Sequence, residues 1–387
     1  MAEGKIKRVF PGGNTSRGFY SYYDYILSQE EANRIFIIKG GPGVGKSTLM
    51  KRVANEVIRR GYDVELMHCS SDPGSLDGIV IPKASVALMD GTAPHIVEPK
   101  TPGAIDEIIN LADYWNEEGI VSNRLEIINI SKEIRNLFAR AYSYIKAAFL
   151  IYKDTESIYS NAMDHQKTNN IAQNIIANLF WKHSKDEMDQ DLTVQSSLAF
   201  QFSNRIANKK GIWRKLFASA ITPQGLVNHL NTVLVTKKIY KIKGGKGTGV
   251  EGLMTKIATA AVENGFDVEC FYCALEPDKL EHVVILGKNI AFTTVNAYHN
   301  ADIEADEEID LSEFINYSLL EPNKRDIEFN EAQFDYLMGR AIETLKMAKT
   351  KHDELERYYI PYMDFDSVEA KTQEIIKKVL EYIEKDI

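Results

Sequence analysis

Residues Gly40-Gly41-Pro42-Gly43-Val44-Gly45-Lys46-Ser47-Thr48 follow the pattern G-x-x-x-x-G-K-[ST]. This loop constrains the fold more than any other feature of the chain. Its glycines let successive backbone N–H groups turn inward around an anion, and a helix must begin directly after it to add a positive N-terminal end. The flanks agree. Ile35-Phe36-Ile37-Ile38 reads as a buried strand before the loop, and Leu49–Arg60 reads as a helix ended by Gly61. The pattern predicts a triphosphate cradle. The backbone N–H groups of Gly41, Gly43, Val44 and Gly45 would frame it, with Pro42 in the same loop, Lys46 would reach the β- and γ-phosphates, and Ser47 would ligate Mg²⁺. Thr48 continues the first helical turn.

A damaged copy follows. Gly244-Gly245-Lys246-Gly247-Thr248-Gly249-Val250-Glu251-Gly252 keeps its glycines, but Val250 stands where Lys46 stood and Glu251 where Ser47 stood. The repeat is wider than the loop. Ile35–Cys69 against Ile239–Cys273 gives 15 identities in 35 positions without gaps. Unrelated stretches of average composition would give about 6%. Leu137–Ile176 against Leu337–Ile376 gives 12 identities in 40, including Arg140/Arg340, Tyr159/Tyr359 and Met163-Asp164/Met363-Asp364. Two units are expected, 1–210 and 211–387, with the boundary inside Asn208–Ala218. Each would hold a sheet core (7–100 and 214–302) followed by a helical segment (103–207 and 305–387).

Strand–helix–strand alternation around each loop predicts an α/β fold with a parallel, helix-covered sheet and an appended helical subdomain. The expected order is a short strand at Arg8–Phe10 (echoed by Lys215–Phe217), an aromatic-rich helix after Gly18, the loop strand and the loop helix. Strands at Asp63–His68 and Val86–Met89 follow, with Asp267–Tyr272 and Ile290–Phe292 as their counterparts. From Ala104–Glu117 through Phe202, and over Ile309–Ile387, the chain reads as helical.

The loop, its strand and its helix resemble the P-loop NTPase superfamily over about 65 residues from Ile35. The tandem arrangement and Asp90-Gly-Thr-Ala-Pro-His95 look like a group of bacterial ATPase-like proteins. The resemblance implies an ATP-binding, Mg²⁺-dependent site. A second acid is expected beside the metal, and Asp90, closing the apolar run Val86–Met89, takes that role together with Ser47. Its counterpart is Thr294, so the damaged copy has lost Lys, Ser and Asp together. His95 persists as His299 and reads as structural. Asp72 sits where ligands bind in open α/β sheets, at the carboxyl end of a strand. Arg140 and Arg340 are arginine-finger candidates that more plainly read as surface residues.

Composition excludes several classes. At 387 residues with 44% hydrophobic content the chain can bury two domain cores. Its 46 basic against 55 acidic residues leave a net charge of −9, with no general pull toward nucleic acid or anionic membrane. No stretch reads as a membrane span or signal peptide, which points to a cytoplasmic protein. Cys270-Phe-Tyr-Cys273 ends a strand and has no partner pair, so the cysteines read as ordinary buried thiols. Asn323-Lys324-Arg325-Asp326 matches N-K-x-D outside any loop context, so ATP is favoured over GTP. With no Glu after Asp90, three functions stand open: a slow or partner-stimulated ATPase, a small-molecule or nucleotide kinase, and a non-hydrolysing ATP sensor. The helical segments or the damaged half would serve as a protein-binding surface.

Overall fold

The computed structural model describes residues 2–93, 96–180, 210–295 and 303–385. Its α/β architecture holds two six-stranded sheets, both mixed rather than parallel as expected. The first runs in the order Ile6–Val9, Val64–His68, Leu76–Ile81, Val86–Asp90, Arg34–Lys39, Asp106–Asn110. Leu76–Ile81 is antiparallel to both of its neighbours, whereas the loop strand Arg34–Lys39 is parallel to the strands on either side. A tight turn makes the reversal: Asp72 accepts from the Gly74 amide at 3.3 Å and the Ser75 hydroxyl at 2.8 Å. The second sheet repeats this plan in the order Glu307–Asp310, Lys238–Lys243, Ile290–Val295, Leu280–Ile285, Val268–Tyr272, Trp213–Leu216.

Two stretches expected to be helical are not. Gly12–Thr15 and Gly18–Ser21 pair as a hairpin, with Gly18 at φ 88° closing the turn and the Thr15 hydroxyl donating to the Gly18 carbonyl at 2.9 Å. Ser219–Thr222 and Gly225–Asn228 form the same hairpin with Thr222 and Gly225. Aromatic residues such as Phe19 and Tyr20 favour a pleated surface, and that preference wins here over the helical spacing. Within Ala104–Glu117, Asp106–Asn110 forms a strand along the loop strand, followed by a 3₁₀ turn at Leu111–Tyr114. The Asp106 carboxylate accepts from the Lys100 and Thr101 amides at 2.7 and 2.6 Å, folding the chain back into the sheet edge. Long helices begin only later, at Arg124–Asn161 and His165–Phe180, and again at Lys324–Glu356 and Phe365–Lys385. The helical expectation over 181–209 lies outside the described residues. No helix among the described residues is long and apolar enough to cross a membrane.

The compact units cut across the sequence halves. One comprises Met1–Ala147, Leu216–Val233 and Leu337–Ile387; the other comprises Ala148–Lys215 and Leu234–Tyr336. From Leu337 onward the helices of the second repeat therefore belong with the first loop, and from Ala148 onward those of the first repeat belong with the second loop. In the first unit, the loop helix Lys46–Arg59 buries Leu49, Met50, Val53, Ala54, Val57 and Ile58 at helical spacing. Ile375, Val379 and Ile383 of Phe365–Lys385 complete the same core. Ile375→Ala is expected to destabilise this unit by about 2–5 kcal/mol, the cost of a fully buried large-to-small change. Urea unfolding measures it, and a loss below about 1 kcal/mol would mean that the C-terminal helix contributes no core.

Candidate functional site

The loop strand is buried from Ile35 to Ile38 and delivers Gly40 to the carboxyl edge of the first sheet. Gly43 at φ 68° and Gly45 at φ 93° take left-handed conformations that a side chain would resist. Gly45 is also the residue from which the helix Lys46–Arg59 starts. Val44 turns its side chain into the core, so only its backbone faces the loop interior. Lys46 folds across the loop, its ammonium donating to the Gly40 and Gly41 carbonyls at 3.0 and 2.8 Å. Gly41, Pro42 and Ser47 are half-buried, and Thr48 is exposed.

Asp90 arrives on the adjacent parallel strand, in register with Ile38. One carboxylate oxygen accepts from the Thr92 amide at 2.8 Å, and the other lies 3.7 Å from the Lys46 ammonium. The Thr92 hydroxyl in turn donates to the Gly40 carbonyl at 3.0 Å. The structure thus brings Lys46, Asp90 and the loop together. Ser47 Oγ accepts from the Leu76 amide at 3.0 Å, which anchors its hydroxyl at the first helical turn. A hydroxyl and a carboxylate are hard oxygen donors of the kind Mg²⁺ takes, and a glycine loop opening a helix suits polyphosphate. The donor set fits both groups.

Three side chains at this loop were not legible in the sequence. They lie on one face of the helix Lys324–Glu356, which the second repeat contributes. Glu356 covers Gly43 so closely that a Cβ there would stand 3.2 Å from the Glu356 Cβ and 3.3 Å from its carbonyl oxygen. His352 Nδ1 is 3.6 Å from the Glu356 carboxylate. Lys349 reaches Asp72 at 3.5 Å and also pairs with Asp353. Burial lowers the His352 pKa, the Glu356 and Asp353 carboxylates oppose that, and the Lys349 and Lys46 charges add to it. The imidazole is therefore held toward its neutral form. The only available signal was Glu156/Glu356, identical between the repeats, and it does not say which loop either glutamate covers.

The other candidates fall elsewhere. Arg140 is exposed, and Arg340 is exposed with Glu343 at 2.8 Å. His95 and His299 lie outside the described residues. Asn323–Asp326 is taken up in the start of the helix Lys324–Glu356. Cys69 and Cys270 are buried and Cys273 half-buried, all as free thiols whose pKa burial pushes up.

The second loop keeps the backbone and changes the charges. Gly247 at φ 72° and Gly249 at φ 79° repeat the left-handed turns. Beside them lies a cavity of about 350 Å³ whose lining includes Lys246, Glu251, Lys279 and Thr294. Lys246 pairs with Glu331 at 3.1 Å and Lys279 with Glu156 at 2.5 Å. Burial raises the Glu251 pKa; Glu276 and Glu156 raise it further, while Lys279 and Lys153 oppose them. No protein-family model matches this chain, nor does any curated protein or solved structure compared with it.

Proposed function

We propose that the first loop binds Mg-ATP and that the protein is a slow or partner-stimulated ATPase with one competent and one disabled nucleotide site. The observation that carries this reading is the juxtaposition of Lys46, at the start of the loop helix, and Asp90, at the end of the strand parallel to the loop strand, 3.7 Å apart at a left-handed glycine loop. Lys46 would exchange the Gly40 and Gly41 carbonyls for phosphate oxygens. The loop amides and the helix N-terminus would stabilise charge that spreads over the transferring phosphoryl group. Ser47 and Asp90 would hold Mg²⁺, which when bound neutralises the β- and γ-oxygens. Thr92 holds one Asp90 oxygen in place and leaves the other directed toward Lys46. ATP turnover by the purified chain, with and without cell extract, tests the reading. Calorimetry showing no Mg-ATP binding would overturn it.

Asp90 gives a sharper check. Asp90→Asn keeps the shape and the Thr92 contact but removes the charge. It is expected to weaken Mg-ATP binding about tenfold or more while leaving binding in EDTA within about threefold, since the carboxylate acts through the metal. Equal losses with and without Mg²⁺ would remove Asp90 from the metal site.

A further inference from the structure

We infer that His352, oriented by Glu356, is the proton acceptor for the attacking water at the first loop, so that the second repeat supplies the catalytic base of the first repeat's site. This rests on the ATPase reading above. The first repeat offers no carboxylate directly after Asp90, where Gly91 follows. The helix Lys324–Glu356 fills that need from outside. Lys349, His352, Asp353 and Glu356 share one helical face by their spacing of three and four. That face is tied at one end to Asp72 through Lys349 and at the other to Gly43 through Glu356. His352 stands between the two anchors. Its Nδ1 faces the Glu356 carboxylate, which favours the tautomer with the proton on Nδ1 and leaves Nε2 as the acceptor.

The internal comparison separates chemistry from packing. Glu356 has its match in Glu156, which covers Gly247 just as Glu356 covers Gly43. A cover for the glycine is therefore needed in both units. Lys349, His352 and Asp353 are replaced by Phe149, Tyr152 and Lys153. The imidazole is lost from the same unit that lost the counterparts of Lys46, Ser47 and Asp90. In that unit Glu156 is occupied instead by Lys279 and Lys153. A purely structural histidine gives no reason for this joint loss.

In the step itself the water oxygen bonds to the γ-phosphorus as the bond from that phosphorus to the β–γ bridging oxygen breaks. The bond's electron pair leaves on ADP, and one water proton passes to His352 Nε2. The resulting imidazolium faces Glu356 and Asp353, which stabilise it, and Lys46 and Lys349, which do not; Asp72 offsets Lys349. Inorganic phosphate leaves, and the proton returns to solvent.

His352→Gln keeps the side chain's size and polarity but accepts no proton. Turnover is expected to fall about 100-fold with Mg-ATP affinity within about threefold of wild type, and the acidic limb of the pH–rate profile is expected to disappear. Two-dimensional NMR of ¹⁵N-histidine-labelled wild-type protein supplies a readout independent of turnover. Saturating Mg-ADP is expected to raise the His352 pKa, because added negative charge beside the ring favours its protonated form. Glu356→Gln is expected to lower that pKa and cut turnover about fivefold to tenfold, since it removes the orienting carboxylate but leaves the ring. Normal turnover in His352→Gln, or a His352 pKa indifferent to Mg-ADP, would overturn the assignment while leaving nucleotide binding intact. Absence of Mg-ATP binding in the wild type would overturn both readings, and the calorimeter would show which had failed first.

Discussion

Lys46→Ala is expected to weaken Mg-ATP binding about a hundredfold while leaving the melting temperature nearly unchanged. The magnitude follows from the contacts exchanged. The ammonium now donates to two backbone carbonyls, at 3.0 and 2.8 Å, with Asp90 at 3.7 Å. Against phosphate it would meet a full opposite charge, worth about 4 kcal/mol at about 4 Å and an effective dielectric near 20, offset in part by the carbonyl bonds it gives up. A net of about 3 kcal/mol is a hundredfold in affinity at about 1.4 kcal/mol per decade. The fold should tolerate the change. Lys46 touches the loop and Asp90 rather than the core built by Leu49, Met50 and Val53 of the same helix. Calorimetric titration of Mg-ATP together with a thermal melt measures both sides. Unchanged affinity would mean that Lys46 does not face the nucleotide, and a collapsed melt would mean that its contacts to Gly40 and Gly41 hold the loop together.

The parts of this protein that were legible in the sequence are those set by local chemistry. Ile35–Ile38, the glycine loop and the helix after it are specified by an apolar run, by positive-φ positions and by helical spacing within some 25 residues. Asp90 was legible because an acid closing a buried strand is a short pattern, and the register Ile38↔Asp90 sets it beside the loop. What could not be read depends on partners distant in sequence. Leu76–Ile81 is wholly buried, so it carries no alternation to mark it as a strand, let alone as one running antiparallel. The assignment of helices to loops was hidden for a different reason. The duplicated halves carry nearly equivalent apolar faces, so the helix of either repeat suits either sheet by pattern. Ile375, Val379 and Ile383 read as core residues, but nothing in their spacing says that the core is that of Leu49 and Val53. His352 escaped notice for the same reason. A histidine on a long helix is unremarkable until the helix is assigned to the first loop.

Each chain is expected to bind one nucleotide, with Mg-ATP titration giving a stoichiometry near one. The second loop keeps its left-handed turns at Gly247 and Gly249, so its amides can still curve around an anion. Its charges oppose one. Val250 is buried where Lys46 would be needed. Lys246 and Lys279 are the cations nearest to standing in for it, but Glu331 and Glu156 already neutralise them at 3.1 and 2.5 Å. Recruiting either lysine would strand its glutamate, and Glu156 is already held in a partly buried place. Glu251 adds a carboxylate at the helix N-terminus, where it competes for the field that otherwise favours phosphate. At an effective dielectric near 20, a carboxylate charge about 4 Å from a phosphate charge costs on the order of 4 kcal/mol, more than a few amide hydrogen bonds return. Because burial, Glu276 and Glu156 raise the Glu251 pKa, lowering the pH toward the ordinary carboxylate range protonates Glu251 first and reduces that repulsion. Weak second-site binding is therefore expected to emerge on the acid side, and Glu251→Gln should bring it to neutral pH. Titrations of wild type, Lys46→Ala and Glu251→Gln at pH 7.5 separate the cases. A stoichiometry near two in the wild type, or full-strength binding surviving in Lys46→Ala, would show that the second loop is a working site.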